Sequence, residues 1–245
     1  MGTPSKKTGK NFLALFDIDG TLVQTLGAGI RGMNAAFADL YGVENALGRV
    51  PIAGRTDRVI VADVLRGAGI EPTANRIGEV RDAYLARLPA AMAEPAQGPF
   101  GVLPGVTAIL GRLSATPDVA VGLLTGNFER GAKIKLDHFG LWREFAFGAF
   151  GDDHFDRRDL VPVALAHARG AGIDVSDPIV VVIGDTPLDV DCAHANSALA
   201  VGVSTGPYGR DALAAAGADL TVDTLTELNE TGEWLESLVV RSPRP

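Results

Sequence analysis

The stretch Phe12-Leu13-Ala14-Leu15-Phe16-Asp17-Ile18-Asp19-Gly20-Thr21 constrains this chain more than any other, because an unbroken apolar run there delivers two carboxylates and a glycine in immediate succession. An apolar run of that length bounded by a turn signal reads as a strand covered on both faces, as in a parallel sheet. Ligands of such sheets bind beyond the carboxyl ends of the strands. Side chains two apart on a strand share a face, so Asp17 and Asp19 are expected to point into one small volume. Two like charges that close need a divalent cation or a shared proton. Gly20 lets the backbone turn and opens its amide to an anion, and Thr21 adds a hydroxyl. An Asp-Gly pair alone is ordinary turn chemistry, and two later clusters lift it above that.

The first of these is Thr125-Gly126-Asn127, which follows the apolar run Val119–Leu124 and precedes a helical pattern. A hydroxyl, a flexible amide and a helix N-terminus then converge at one sheet edge, which suits an anion. The second is Val180-Val181-Val182-Ile183-Gly184-Asp185-Thr186-Pro187-Leu188-Asp189, another buried strand that ends in an acid, with a second acid at the start of a helix. Asp185 added to Asp17 and the backbone carbonyl of Asp19 makes the oxygen-rich set that Mg²⁺ prefers, with Asp189 behind it.

Between the first two strands lie roughly a hundred residues, far more than a parallel crossover requires. They carry helical stripes: Ile30, Met33, Phe37, Leu40 and Tyr41; then Val59, Ile60, Val64 and Leu65 after a cap at Arg55 or Thr56; then Ile77, Val80, Tyr84, Leu85 and Leu88. The break at Glu94–Pro99 ends them. Residues 25–97 are therefore expected to form an inserted helical unit on two short hinges, and residues 1–24 and 98–245 the α/β core. After Val119 the chain alternates: helix Arg130–Phe139, strand Phe145–Phe150, helix Leu160–Arg169, strand Ile179–Ile183, helix Leu188–Ala195, strand Leu199–Val203, helix Asp211–Ala216, a short strand Leu220–Val222, and a last helix over Leu225–Val240. That is the pattern of a doubly wound, Rossmann-like α/β fold with a parallel sheet.

Composition narrows the setting. A net charge of −8 opposes binding to nucleic acid, no window has the apolar length of a membrane span, and the polar, basic residues 1–10 lack the apolar core of a signal peptide and read as a disordered tail. The lone Cys192 fits a reducing, cytoplasmic compartment. Monomer and homodimer both remain open.

These three clusters in this order resemble the haloacid dehalogenase-like superfamily, in its phosphatase branch with a small helical cap, similar to phosphoglycolate phosphatases and β-phosphoglucomutases. Asp-Ile-Asp-Gly-Thr (17–21) resembles the family's first motif, Thr125 its second, and Gly184-Asp185 with Asp189 its fourth; Leu103-Pro104-Gly105-Val106 and Ala216-Gly217-Ala218-Asp219 resemble further landmarks. The resemblance implies a Mg²⁺-dependent phosphoric monoester hydrolase for a small phosphorylated metabolite, phosphoglycolate being the first expectation. In it Asp17 attacks phosphorus to give an aspartyl-phosphate and Asp19 is the general acid and base. Thr125, Gly126 and Asn127 would hold the phosphoryl oxygens. Dehalogenases proper generally lack the second acid, so dehalogenation is not expected. The family's third motif supplies a lysine that is missing here: Arg158 occupies its slot, a shift of one residue chooses Arg157, and Lys133 or Lys135 could reach back from the helix after Thr125. Ala53-Gly54-Arg55-Thr56-Asp57 resembles the cap loop that reads the substrate, with Arg55 able to meet a carboxylate or second phosphate. Asp152 and Asp153 follow the third strand and either back the metal pocket or form a solvated acidic turn, and Asn196 stands where a helix-ending glycine is usual. Two other readings stay open: a phosphomutase of the β-phosphoglucomutase type, and a non-catalytic module that binds phosphate as response-regulator receivers do.

Overall fold

The computed structural model describes residues 12–94, 98–230 and 234–235. The basic start over 1–10, the hinge at Gln97, most of the end of the last helix and the tail after Ser242 lie outside the described residues.

The apolar run forms strand β1 (Phe12–Phe16), every residue of it buried. Its alternation divides it between two layers: Phe12, Ala14 and Phe16 join the apolar cluster on one face of the sheet, and Leu13 and Leu15 the cluster on the other. Parallel pairing follows on both sides, with β4 (Val119–Leu124) in the register Phe16 opposite Leu123, and with β6 (Ile179–Gly184) in the register Phe16 opposite Ile183. Adding β5 (Gly148–Ala149), β7 (Leu199–Val203) and β8 (Leu220–Val222) gives a six-stranded parallel sheet in the order β5-β4-β1-β6-β7-β8. The chain runs outward from β1 in one direction through β4 and β5, then returns to build β6, β7 and β8 on the other side. That reversal beside β1 is where α/β sheets open a crevice.

Helices α4 (Val106–Ala115), α5 (Glu129–His138), α6 (Leu160–Gly170), α7 (Pro187–Ala195), α8 (Arg210–Ala215) and α9 (Thr226–Glu230) belong to this layer structure. Among the described residues, no helix is long and apolar enough to cross a membrane.

Two expectations need correction, and the hinges gain a detail. The run Phe145–Phe150 pairs over two residues only, Leu123 with Gly148 and Leu124 with Ala149, because a 3₁₀ turn at Trp142–Glu144 occupies the chain up to Phe145. Asn196 keeps a φ of −115°, and Ser197 takes the left-handed conformation at 53°. Asn196 instead donates its amide to the carbonyls of Arg158 and Cys192, at 2.7 and 2.9 Å. The two hinges are not bare connections: β2 (Val23–Gln24) and β3 (Gly101–Val102) pair antiparallel.

Between those hinges lie α1 (Ala28–Tyr41), a 3₁₀ turn (Ala46–Arg49), α2 (Asp57–Gly67) and α3 (Ala74–Ala93). The expected stripes supply a separate apolar cluster that includes Met33, Phe37, Val61, Leu65, Val80, Tyr84 and Leu88, with Phe128 joining it from the sheet layer.

Candidate active site

The site begins where β1 ends. The Asp17 amide still donates to Ile183 of β6 at 2.9 Å, so the first acid leaves the sheet in a fixed direction. The next residues fold tightly back, with the amides of Leu22 and Val23 both donating to the Ile18 carbonyl. Gly20 has two reasons to be glycine: a φ of 82°, and a position where a Cβ would lie 2.4 Å from an oxygen of Asp185. Thr21 donates to the other oxygen of Asp185 at 3.4 Å.

Asp17, Asp185 and Asp189 are all buried, and one carboxylate oxygen from each falls within 4.8 Å of the others. Asp189 is the most completely occupied of the three. One oxygen takes the amide and hydroxyl of Thr186, at 3.0 and 2.7 Å, which closes a capping box at the start of α7; the other takes the Arg157 guanidinium. Arg157 also lies 3.2 Å from Asp17, donates to the Leu124 carbonyl at 3.3 Å and accepts a hydrogen bond from the Cys192 thiol on its own carbonyl. Its Nε is buried with no partner among the described residues. One guanidinium is too little for three buried acids. Burial pushes the Asp17 carboxyl up to about 6 against the pull of Arg157, and burial with the neighbouring Asp17 and Asp189 charges pushes Asp185 up to about 9. Oxygen donors that are buried, crowded and short of positive charge suit a hard divalent cation, and Asp17 and Asp185 keep oxygens free for one.

Asp19 faces the other way. It is more exposed than Asp17, and its carboxylate receives Lys135 at 2.6 Å, Asn127 at 2.9 Å and the Thr25 hydroxyl at 3.5 Å. Asn127 ties this group together, accepting from Lys135 at 2.6 Å and donating to the Thr125 hydroxyl at 2.8 Å. Of the four candidate cations, then, the fold brings Arg157 and Lys135 to the acids. Arg158 stands outside, bound to Asp191 at 2.7 Å on the surface, and Lys133 is paired with Asp137 and stacked near Trp142. Asp152 and Asp153 do not face the acids: Asp152 accepts the Glu129 amide at 2.6 Å, at the start of α5, and Asp153 accepts the Phe150 amide.

The helical unit closes over this floor through its loop Ala53–Asp57. Gly126 accepts the Asp57 amide at 2.7 Å, and Asp57 in return accepts the Phe128 amide at 2.9 Å, so the N-termini of α2 and α5 meet. Arg157 donates to the Gly54 carbonyl at 3.0 Å, and the Thr56 hydroxyl to the Phe155 carbonyl at 2.9 Å. A Cβ on Gly126 would fall 2.1 Å from the Arg55 carbonyl, so the close approach requires glycine. Arg55 itself is turned to Asp63 and to the Pro51 carbonyl, at 2.6 and 2.9 Å.

Between floor and roof lies a cavity of ≈ 510 Å³ lined by Asp17, Asp19, Thr125, Gly126, Asn127, Lys135, Arg157 and Asp185, with Arg55 at its edge. Thr186, Thr205 and Gly206 also line it, and sequence reasoning passed over them. Ser204-Thr205-Gly206 follows a buried strand as Thr125-Gly126 does, so the same rule would have found it. Asp57 and Tyr84 line the cavity as well, the first with its carboxyl pushed up by burial to about 6.

A family model described as haloacid dehalogenase-like hydrolase matches residues 14–194. Among solved structures, the chain is similar to a predicted phosphoglycolate phosphatase from Haemophilus somnus, at 18% identity over 92% of this chain and 99% of that one, with a TM-score of 0.65. It is similar to a protein from Bacteroides vulgatus provisionally described as a β-phosphoglucomutase, at 18% identity, 97% and 93% coverage and a TM-score of 0.63. It is also similar to CbbY from Rhodobacter sphaeroides in complex with phosphate, at 20% identity, 89% and 96% coverage and a TM-score of 0.66; a variant of that protein was solved with xylulose-(1,5)bisphosphate. A search of curated proteins finds no match.

Proposed function

Because the chain belongs to the haloacid dehalogenase-like hydrolase family, we propose that it is a Mg²⁺-dependent phosphatase of a small phosphorylated metabolite, acting through a phosphorylated Asp17. The observation that carries this reading is the gathering of Asp17, Asp19, Thr125, Lys135 and Asp185 on one cavity beyond the carboxyl end of the sheet.

Asp17 is the nucleophile: its oxygen forms a bond to phosphorus as the bond from phosphorus to the leaving oxygen breaks. Asp19 protonates that leaving oxygen, then takes the proton from the water that attacks the phosphorylated Asp17, returning the carboxylate and free phosphate. Lys135 and Asn127 hold Asp19 in place for both steps, on contacts of 2.6 and 2.9 Å. The Thr125 hydroxyl and the Gly126 amide supply hydrogen bonds to the phosphoryl oxygens. Magnesium held by Asp17, Asp185 and the Asp19 backbone carbonyl would supply the positive charge that lets one anion approach another. Arg157 fixes Asp17 from behind and is itself fixed by Asp189. The helical unit 25–97 serves as the cap that shuts out water and reads the leaving group, and a cytoplasmic setting suits a thiol buried and unoxidised at Cys192.

Hydrolysis of p-nitrophenyl phosphate with Mg²⁺ and with EDTA, by the wild type, Asp17→Asn and Asp19→Asn, tests the reading. Turnover is expected only in the wild type with Mg²⁺, and undiminished turnover by Asp17→Asn would overturn the mechanism.

A further inference from the structure

We propose that the leaving group of the substrate is an uncharged alcohol with an apolar body, seated against the cap and given one hydrogen bond by the Tyr84 hydroxyl. This rests on the phosphatase reading above and narrows it.

The cap side of the cavity is built of Ile30, Met33, Leu47, Ile52 and Ile60, with Tyr84 among them. Ile30 is 39% exposed and lines this cavity, so its apolar surface stays open on the ligand side. Apolar surface kept open at a ligand cavity is recovered when the ligand covers it.

Charge argues the same way. Among the described residues that line the cavity, Arg55 is the one cation from the cap, and its guanidinium is committed to Asp63 and the Pro51 carbonyl. Asp57 sets a carboxyl on that side as well. A leaving group that carried a carboxylate or a second phosphate would shed its hydration there and find no free counter-charge, a cost that buried anions do not escape. At the hinge the Gln24 side-chain oxygen accepts the Leu26 amide at 3.1 Å and Thr25 donates to Asp19, and neither residue brings a cation.

One hydroxyl on this side is open to the ligand. Tyr84 is 1% exposed and lines the cavity, and none of the hydrogen bonds found among the described residues uses its hydroxyl. It lies where a Cβ on Gly29 of α1 or Gly131 of α5 would come within 3.5 Å of it. A hydroxyl that faces the cavity loses its water when a ligand enters, so a hydroxyl or carbonyl on the ligand would replace that hydrogen bond. Burial, with Asp57 and Asp19 nearby, holds the phenol protonated and thus a donor. Phosphoglycolate, the first expectation, offers a carboxylate instead.

The test is a matched series turned over by the full-length protein with Mg²⁺: hexyl phosphate, its ω-hydroxy and ω-carboxy analogues, phosphoglycolate and p-nitrophenyl phosphate. The hydroxy and plain esters are expected to exceed the carboxy ester and phosphoglycolate in kcat/KM by about tenfold or more. Ile30→Lys, placed at an exposed position that tolerates it, should recover the carboxy ester relative to hexyl phosphate by about tenfold. Tyr84→Phe should remove the advantage of the hydroxy ester over hexyl phosphate. A wild type that cleaves phosphoglycolate or the carboxy ester as well as hexyl phosphate overturns the proposal and leaves the phosphatase reading standing. A protein that cleaves none of the five, p-nitrophenyl phosphate included, overturns both.

Discussion

The floor and the roof of the cavity follow opposite rules. On the floor, Asp19 meets three donors, Asp189 meets Arg157 and Thr186, and Asn127 spans Thr125, Asp19 and Lys135. The roof is largely a continuation of the apolar stripes that hold the cap together, with the Tyr84 hydroxyl set among them. The pairs around Asp19, Asn127 and Asp189 hold the groups that flank the reacting acids in place, which is what chemistry on phosphorus demands. A roof with little to pair discriminates by shape and desolvation. Catalysis resides in one and selectivity in the other.

That contrast can be broken from the floor. Asp17→Asn should lower kcat at least about 10³-fold with the circular dichroism spectrum intact, since removal of a nucleophile leaves only binding and positioning. Arg157→Ala strips two buried acids of their shared partner and should cost about 3–5 kcal/mol of unfolding free energy, read by urea titration; a loss indistinguishable from the wild type would show the acids are not held by it. Lys135→Met should cost about 10²-fold in kcat/KM, with a changed pH profile, because Asp19 loses its cation.

A pH ramp sharpens the same point. Asp17, Asp57 and Asp185 titrate higher in the folded protein than the usual carboxyl value of about 3.9, so the folded state keeps protons that the unfolded chain gives up. Their contribution to stability is full below about pH 4 and is lost as pH rises through about 6 and then about 9. The thermal midpoint of the metal-free protein should therefore fall between pH 5 and 9, and Mg²⁺ should restore it most at the upper end. A flat profile would mean that the acids are better compensated than the geometry shows. The smallest effect belongs to Arg158→Ala, which should leave both activity and melting at wild-type values, since among the described residues its guanidinium pairs with Asp191 on the surface, away from the acids.

Much of the floor was legible in the sequence because a buried parallel strand announces itself as an apolar run, and the polar residues just past it have one place to go. β1, β4 and β6 all obey this. What sequence could not settle turned on rotations of a single residue. Lys133 and Lys135 are separated by about 200° around a helix, so one faces the acids and the other the solvent, and nothing in their neighbours says which. Arg157 and Arg158 share a 3₁₀ turn, where one step carries a side chain from the surface into the acids. The roof was hidden for a different reason: Ile30 and Met33 share one stripe in the sequence, yet Met33 packs into the cap and Ile30 stays exposed at the cavity, and the helical period cannot tell a residue that packs from one that waits for a ligand. The pairing of β2 with β3 spans two residues on each side, too short to leave a pattern.

The seam between cap and core carries a last consequence. Two of its contacts run through main-chain atoms, the Arg157 guanidinium on the Gly54 carbonyl and the Asp57 amide on the Gly126 carbonyl, and these main-chain atoms are the same in every amino acid. Isoleucines and methionine overhead can thus be exchanged for other residues without loosening the joint. The lid behaves as an interchangeable die mounted on an unchanging press, and new specificities are reached by re-cutting the die.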